Sequence, residues 1–234
     1  MPRFLASVLV ILSAVTVSAA PPDGEGTVTR AEAIATAERY LNFSWTPTPA
    51  NIRHGKGEDG IQVDTPDAGY KPKGTFAGWW EAGMINKGMP YKWGGFDTPE
   101  SFLAGLSEGK AAGDICTAEK RRLLDAVVSE DAVGIDCSGF VSRCWNLPRT
   151  YSTRTITGLC DPIEKFADIM PGDILNTRNS HVFLFARWIG SDKSRMLVYS
   201  VGSPPVWGVQ IGPVRTRQLK PLGYSAWRYR GMRD

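Results

Sequence analysis

Apolar and polar positions along this chain keep a helical period through its first half and then switch to short strand-like runs. Behind Thr29-Arg30-Ala31-Glu32, which has capping-box spacing, Ile34, Ala37 and Leu41 with Tyr40 beside them predict an N-terminal helix. Further helices are expected at about Thr98 to Ser107 and, more charged, at about Thr117 to Ser129. A fourth opens at Cys137, where the polar run Ser129 to Gly134 gives way to Phe140, Val141, Cys144 and Trp145. Strands then recur at about Phe183 to Trp188, Arg195 to Ser200, Val206 to Ile211 and Tyr224 to Tyr229. Helices first and consecutive strands afterwards predict an α+β fold, with the Cys137 helix packed on an antiparallel sheet.

The segments outside this pattern have their own signatures. Arg3 precedes an uncharged apolar run from Phe4 to Val17, then Ser18-Ala19-Ala20. That is the layout of a signal peptide spanning 1–19, cleaved after Ala19, and the run is shorter than the roughly 20 residues of a membrane-spanning helix. An uncleaved anchor is the rival reading. Export implies a secreted or periplasmic protein with no stable membrane insertion once the signal is removed. A Pro- and Gly-rich stretch from Pro47 to Gly74 is too long for a plain connector and is expected to wrap the rest or form a lid. Phe76, Trp79 and Trp80 follow, as cleft lining or, more commonly for such residues, core. The expected division is 20–81 for the N-terminal helix and wrapping segment, and 82–234 for the main domain with an insertion at about 96–133.

Composition narrows the classes further. A net charge of +3 gives no field for nucleic acid. The basic residues near the C-terminus (Arg215, Arg217, Lys220, Arg228, Arg230, Arg233) alternate with apolar ones and read as a solvated strand face. None of the four cysteines forms a Cys-x-x-Cys pair, so no metal or other cofactor is expected. In an exported chain Cys116–Cys160 is the favoured disulfide, with no bridge at all as the alternative, and Cys144 is assigned to the core.

Cys137 carries the chemistry. At the first turn of a helix, unpaired N–H groups and the helix dipole favour thiolate, and the same N–H groups suit an oxyanion. Two histidines are available as a base. His181 opens the apolar run Val182-Phe183-Leu184-Phe185-Ala186 beside a polar loop, a rigid rim position. His54 lies in Arg53-His54-Gly55-Lys56-Gly57 and reads as a solvated loop residue.

Three blocks in order, Pro90-Tyr91-Lys92-Trp93-Gly94-Gly95, Asp136-Cys137-Ser138-Gly139-Phe140-Val141 and Pro171-Gly172-Asp173-Ile174 leading to His181-Val182, resemble the NlpC/P60 family over about residues 85 to 205. The resemblance implies a papain-like fold and a cysteine peptidase or amidase acting on bacterial cell-wall (peptidoglycan) stem peptides. It makes Cys137 the nucleophile and His181 the base. Tyr91 becomes a hydroxyl beside the nucleophile that helps hold the oxyanion, Asp136 the receiver of a free substrate amine, and Ser138 its support. The chain departs from the family in the long spacer between Gly95 and Asp136. It departs again at the third catalytic position, where Met196 to Ser200 offers only hydroxyls. Ser200 is preferred over Tyr199, and strand alternation lets only one face the site. A binding protein that has lost turnover and a thioester-forming acyltransferase stand as alternatives to the hydrolase.

Overall fold

A computed structural model describes residues 26–71, 78–203 and 206–234. The expected signal peptide and Phe76 lie outside those residues. Six antiparallel strands form one sheet: β1 (Cys160–Ile163), β2 (Ile174–Thr177), β3 (His181–Ile189), β4 (Arg195–Ser203), β5 (Val206–Arg215) and β6 (Ser225–Tyr229), in the order β5-β4-β3-β2-β6-β1. The two edge strands are the two that contain proline, Pro162 in β1 and Pro213 in β5, where a missing N–H costs no ladder bond. Strands β1 and β2 were not expected from the sequence, being four residues each with little alternation.

Helix α1 (Arg30–Asn42) starts at the capping box, with Thr29 accepting from the Glu32 amide and Glu32 reaching back to Thr29. It packs against α4 (Cys137–Cys144), which in turn lies on β3 and β4. The layering is therefore α+β. Tyr40 of α1 meets Phe140 of α4 edge-on at 5.8 Å, and Phe140 meets Tyr199 of β4 at 6.3 Å. The main core runs from Val28 to Met232 and draws on both sides of Ala82. Among the described residues no helix is long and apolar enough to cross a membrane.

Helix α2 (Pro99–Ser107) forms where expected, capped by Thr98. The charged helix does not run to Ser129. Helix α3 spans Ala118–Leu123 and breaks at Leu124, whose φ is +56°, into a single 3-10 turn, Leu124–Val127. The break turns the Leu124 carbonyl outward, where the Trp93 indole N–H donates to it at 3.1 Å. Pro47 to Tyr70 wraps this insertion: Asn51 donates to the carbonyls of Leu106 and Lys110, and Asp59 accepts from the Ser129 hydroxyl. His54 is not in a free loop. It sits on a short hairpin strand, 2.9 Å from Asp67 and stacked on Tyr70 at 4.4 Å.

All four cysteines are free, so the Cys116–Cys160 bridge does not form. Cys160 is buried on β1 and donates to the Ile156 carbonyl, while Cys144 is buried in the core. Part of the basic C-terminal run is engaged rather than solvated. Arg228 and Arg30 both clamp the fully buried Asp173, at 2.7 and 3.1 Å, and Asp173 also accepts from the Met170 amide. Arg230 donates to the Cys160 carbonyl. The Pro171-Gly172-Asp173 block is thereby a structural clasp joining α1, β6 and the turn before β2. Removing one partner of a buried pair leaves the others uncompensated, so Asp173→Ala is expected to lose about 3 kcal/mol of stability. Urea denaturation checks this; a loss below about 0.5 kcal/mol, the range of ordinary surface changes, would deny the clasp its role.

Candidate active site

Asp136 decides where α4 begins. Its carboxylate accepts from the Gly139 amide at 2.5 Å and from the Ser138 hydroxyl at 2.9 Å, the geometry of a helix N-cap. Cys137 is thereby the first helical residue, half-buried at the mouth of a cavity. Gly139 allows this helix start to reach its seat. A Cβ there would lie 2.1 Å from the Gly95 carbonyl oxygen, so no side chain fits. The two glycine-bearing motifs are the two halves of one backbone contact.

Cys137, His181, Tyr91, Asp136 and Ser138 all line one cavity of about 100 Å³. The sequence separates Cys137 from His181 widely, and the contact of α4 with β3 unites them. The backbone N–H of Val182, the residue after His181, approaches the Cys137 sulfur, as does that of Ser138. His181 Nε2 lies 2.9 Å from Ser200 Oγ. Ser200 is buried and outside the cavity lining. Tyr199 turns the other way and donates its hydroxyl to Glu38 of α1.

Tyr91 is buried behind Gly202, whose φ is +91° and whose missing Cβ would stand 2.3 Å from the Tyr91 ring. Its hydroxyl lies against the sulfur of Cys116, where the expectation set it beside Cys137. Burial raises its pKa well above the ordinary tyrosine range, and the nearby charges of Asp136 and Cys137 add to the rise.

The insertion roofs the cavity. Arg121 of α3, with Leu124 and Asp125, lines it, as do Cys116 and Arg154. Lys120 forms a buried ion pair with Asp114, and Trp93 holds the Leu124 carbonyl, so the roof is fastened at two points. None of these lining residues was singled out as a site residue from the sequence. The signal present was positional: an insertion between the tyrosine block and the cysteine block must emerge beside both.

The electrostatics correct one expectation. Burial, and then the Asp136 carboxylate, push the Cys137 thiol up to about 12, against the amides of Val182 and Ser138 and the charge of Arg121. Burial, with Arg121 adding, lowers His181 to about 4. The resting pair is thus neutral thiol and neutral imidazole. Burial also raises the Asp136 pKa, opposed by the Gly139 amide and the Ser138 hydroxyl. No group of His, Cys, Asp and Glu suited to a metal ion occurs among the described residues. No family model, curated protein or solved structure matches the chain.

A neutral resting thiol has a measurable consequence. Its alkylation by iodoacetamide should rise nearly tenfold per pH unit between about pH 6 and 9, because only the thiolate reacts. Mass mapping of the Cys137 peptide follows the rate. A flat rate across that range would mean a preformed thiolate–imidazolium pair.

Proposed function

We propose that this protein is an exported cysteine hydrolase of NlpC/P60 type, with a papain-like catalytic fold, that cleaves an amide bond in bacterial cell-wall peptides. One observation carries the reading: a thiol at a helix N-terminus shares a small cavity with a histidine whose Nε2 is held by a hydroxyl. Thiol, base and orienting group are the parts that nucleophilic catalysis at an amide requires.

In this reading the tautomer with the Nε2 proton directed to Ser200 leaves the Nδ1 lone pair free to act as base. As Cys137 Sγ bonds to the substrate carbonyl carbon, its proton passes to His181, and the carbonyl electrons move onto oxygen. Backbone N–H groups at the start of α4 and the Tyr91 hydroxyl stabilise that oxyanion. The tetrahedral intermediate collapses, the C–N bond breaks, and His181 gives its proton to the leaving amine. Water, deprotonated by His181, then displaces the thiolate and releases the acid. Because thiol and imidazole both rest neutral, the first proton moves only as the substrate arrives. Asp136 faces the same cavity and suits a substrate amine, as its raised pKa reflects a buried carboxyl short of counter-charge.

Incubating the mature protein with peptidoglycan fragments and reading the products by mass tests the reading. The expected result is loss of one amide, absent in Cys137→Ala with little change in thermal stability; full activity in that variant would overturn the assignment. Ser200→Ala should lower turnover about three- to tenfold with little change in KM, the worth of one neutral hydrogen bond. Tyr199→Phe, which loses only its bond to Glu38, should turn over nearly as the parent does. The reverse ranking of these two variants would remove Ser200 from the site.

A further inference from the structure

The insertion contributes a charge that the catalytic scheme above does not use. Its other cations have acidic partners: Lys120 pairs with Asp114, Arg122 with Glu119 at 3.9 Å and Lys110 with Glu108 at 4.0 Å, while Arg154, which also lines the cavity, pairs with Asp125 at 3.7 Å. Arg121, itself exposed, has no ion-pair partner among the described residues and lines the same cavity as Cys137 and His181. Its position is imposed, because the neighbouring Lys120 is locked into Asp114 and Thr117 caps the helix through the Lys120 amide. A guanidinium spends its fork of donors best on a carboxylate.

We propose that Arg121 is a specificity determinant that receives a carboxylate of the substrate next to the bond being cleaved. The assignment rests on the thiol-hydrolase reading. With Asp136 lining the same cavity, the cleft carries both an anionic and a cationic group. It suits an amide flanked by both an amine and a carboxylate, and it disfavours neutral peptides. The charge of Arg121 reaches Cys137, His181, Tyr91 and Cys116, as expected of a cation over the centre of the cleft.

Two alkylating reagents of nearly equal size test this without knowledge of the substrate. Iodoacetate carries the carboxylate and iodoacetamide does not; with either, a C–S bond forms at Cys137 and iodide leaves. The readout is the ratio of their rates at Cys137, followed by peptide mass mapping with Cys137→Ser to identify the peptide. Any change in thiol pKa or folding slows both reagents alike and cancels in the ratio. Arg121→Gln is expected to lower the iodoacetate-to-iodoacetamide ratio about tenfold or more, the low end for a charge-assisted hydrogen bond. Arg121→Lys should give an intermediate ratio, and Arg122→Gln, paired with Glu119 and outside the cavity lining, should leave it unchanged. A ratio unmoved by Arg121→Gln, or lowered equally by Arg122→Gln, would overturn the carboxylate assignment while the hydrolase reading stands. Failure of both reagents to modify Cys137 in the parent protein would overturn the two together.

Discussion

Everything at the cleft depends on a backbone-to-backbone approach, that of Gly139 on the Gly95 carbonyl. Helix α4 can begin at Cys137 only if its first turn sits against the Trp93-Gly94-Gly95 loop, and a Cβ at Gly139 would come within 2.1 Å of that oxygen. The same approach brings Asp136 and Cys137 beside Tyr91, which pairs through an isolated bridge with Ile135. Gly95 is confined on another side as well, since a Cβ there would meet the Gly134 carbonyl oxygen at 2.5 Å. Distant motifs therefore share one requirement, the absence of side chains at a common seam. The sheet completes the site by presenting His181 at the start of β3, with the Val182 amide directed at the sulfur.

Seating the thiol in this cavity sets two effects against each other, and their sizes decide the outcome. The N-terminus of a helix stabilises a negative charge by about 0.3–1 kcal/mol, less than one pKa unit. Burial moves a group by up to about 3–5 units, and here a carboxylate stands beside the sulfur as well. Burial prevails, and the thiol lies near 12. The imidazole is moved oppositely, since burial disfavours whichever form is charged. In the proposed reading, a polar substrate would shift that balance by bringing dipoles to the buried pair, so that the thiol is activated by what it binds.

Legibility in the sequence followed the strength of local patterning. The capping box of α1, the Thr98 start of α2 and the alternating strands β3 to β5 were readable because each carries its own signal. The Cys137 helix was readable from a polar turn giving way to an apolar stripe. What could not be read was set by long-range partners. Strands β1 and β2 have no period of their own and exist because β6 and β3 hold them. Helix α3 was drawn too long because its break at Leu124 is fixed by Trp93, 31 residues upstream. His54 is exposed, as the sequence suggests, but its place on a strand and its partners, Asp67 and Tyr70, come from pairing across a turn. The favoured disulfide failed for the same reason: cysteine counting cannot see that Cys116 faces the cavity while Cys160 is packed on β1.

The insertion is where the chain departs most from the family its motifs resemble, and its construction argues for a role beyond filling space. A surface loop held for stability alone would expose its charges and bury its apolar residues. Here Lys120 is buried to fasten the roof to Asp114, at a desolvation cost that Coulomb attraction only partly offsets. Asp114 even keeps one buried oxygen without a hydrogen-bond partner. Replacing such a pair by apolar residues of similar volume is often neutral or stabilising, so its value lies in orientation. A buried ion pair fixes the helix rotation, and on a helix that begins only at Ala118 this settles which way the next side chain faces. That next residue is Arg121. The energetic cost at Lys120 and the placement of an unpaired guanidinium over the cleft are consequences of the same rotation.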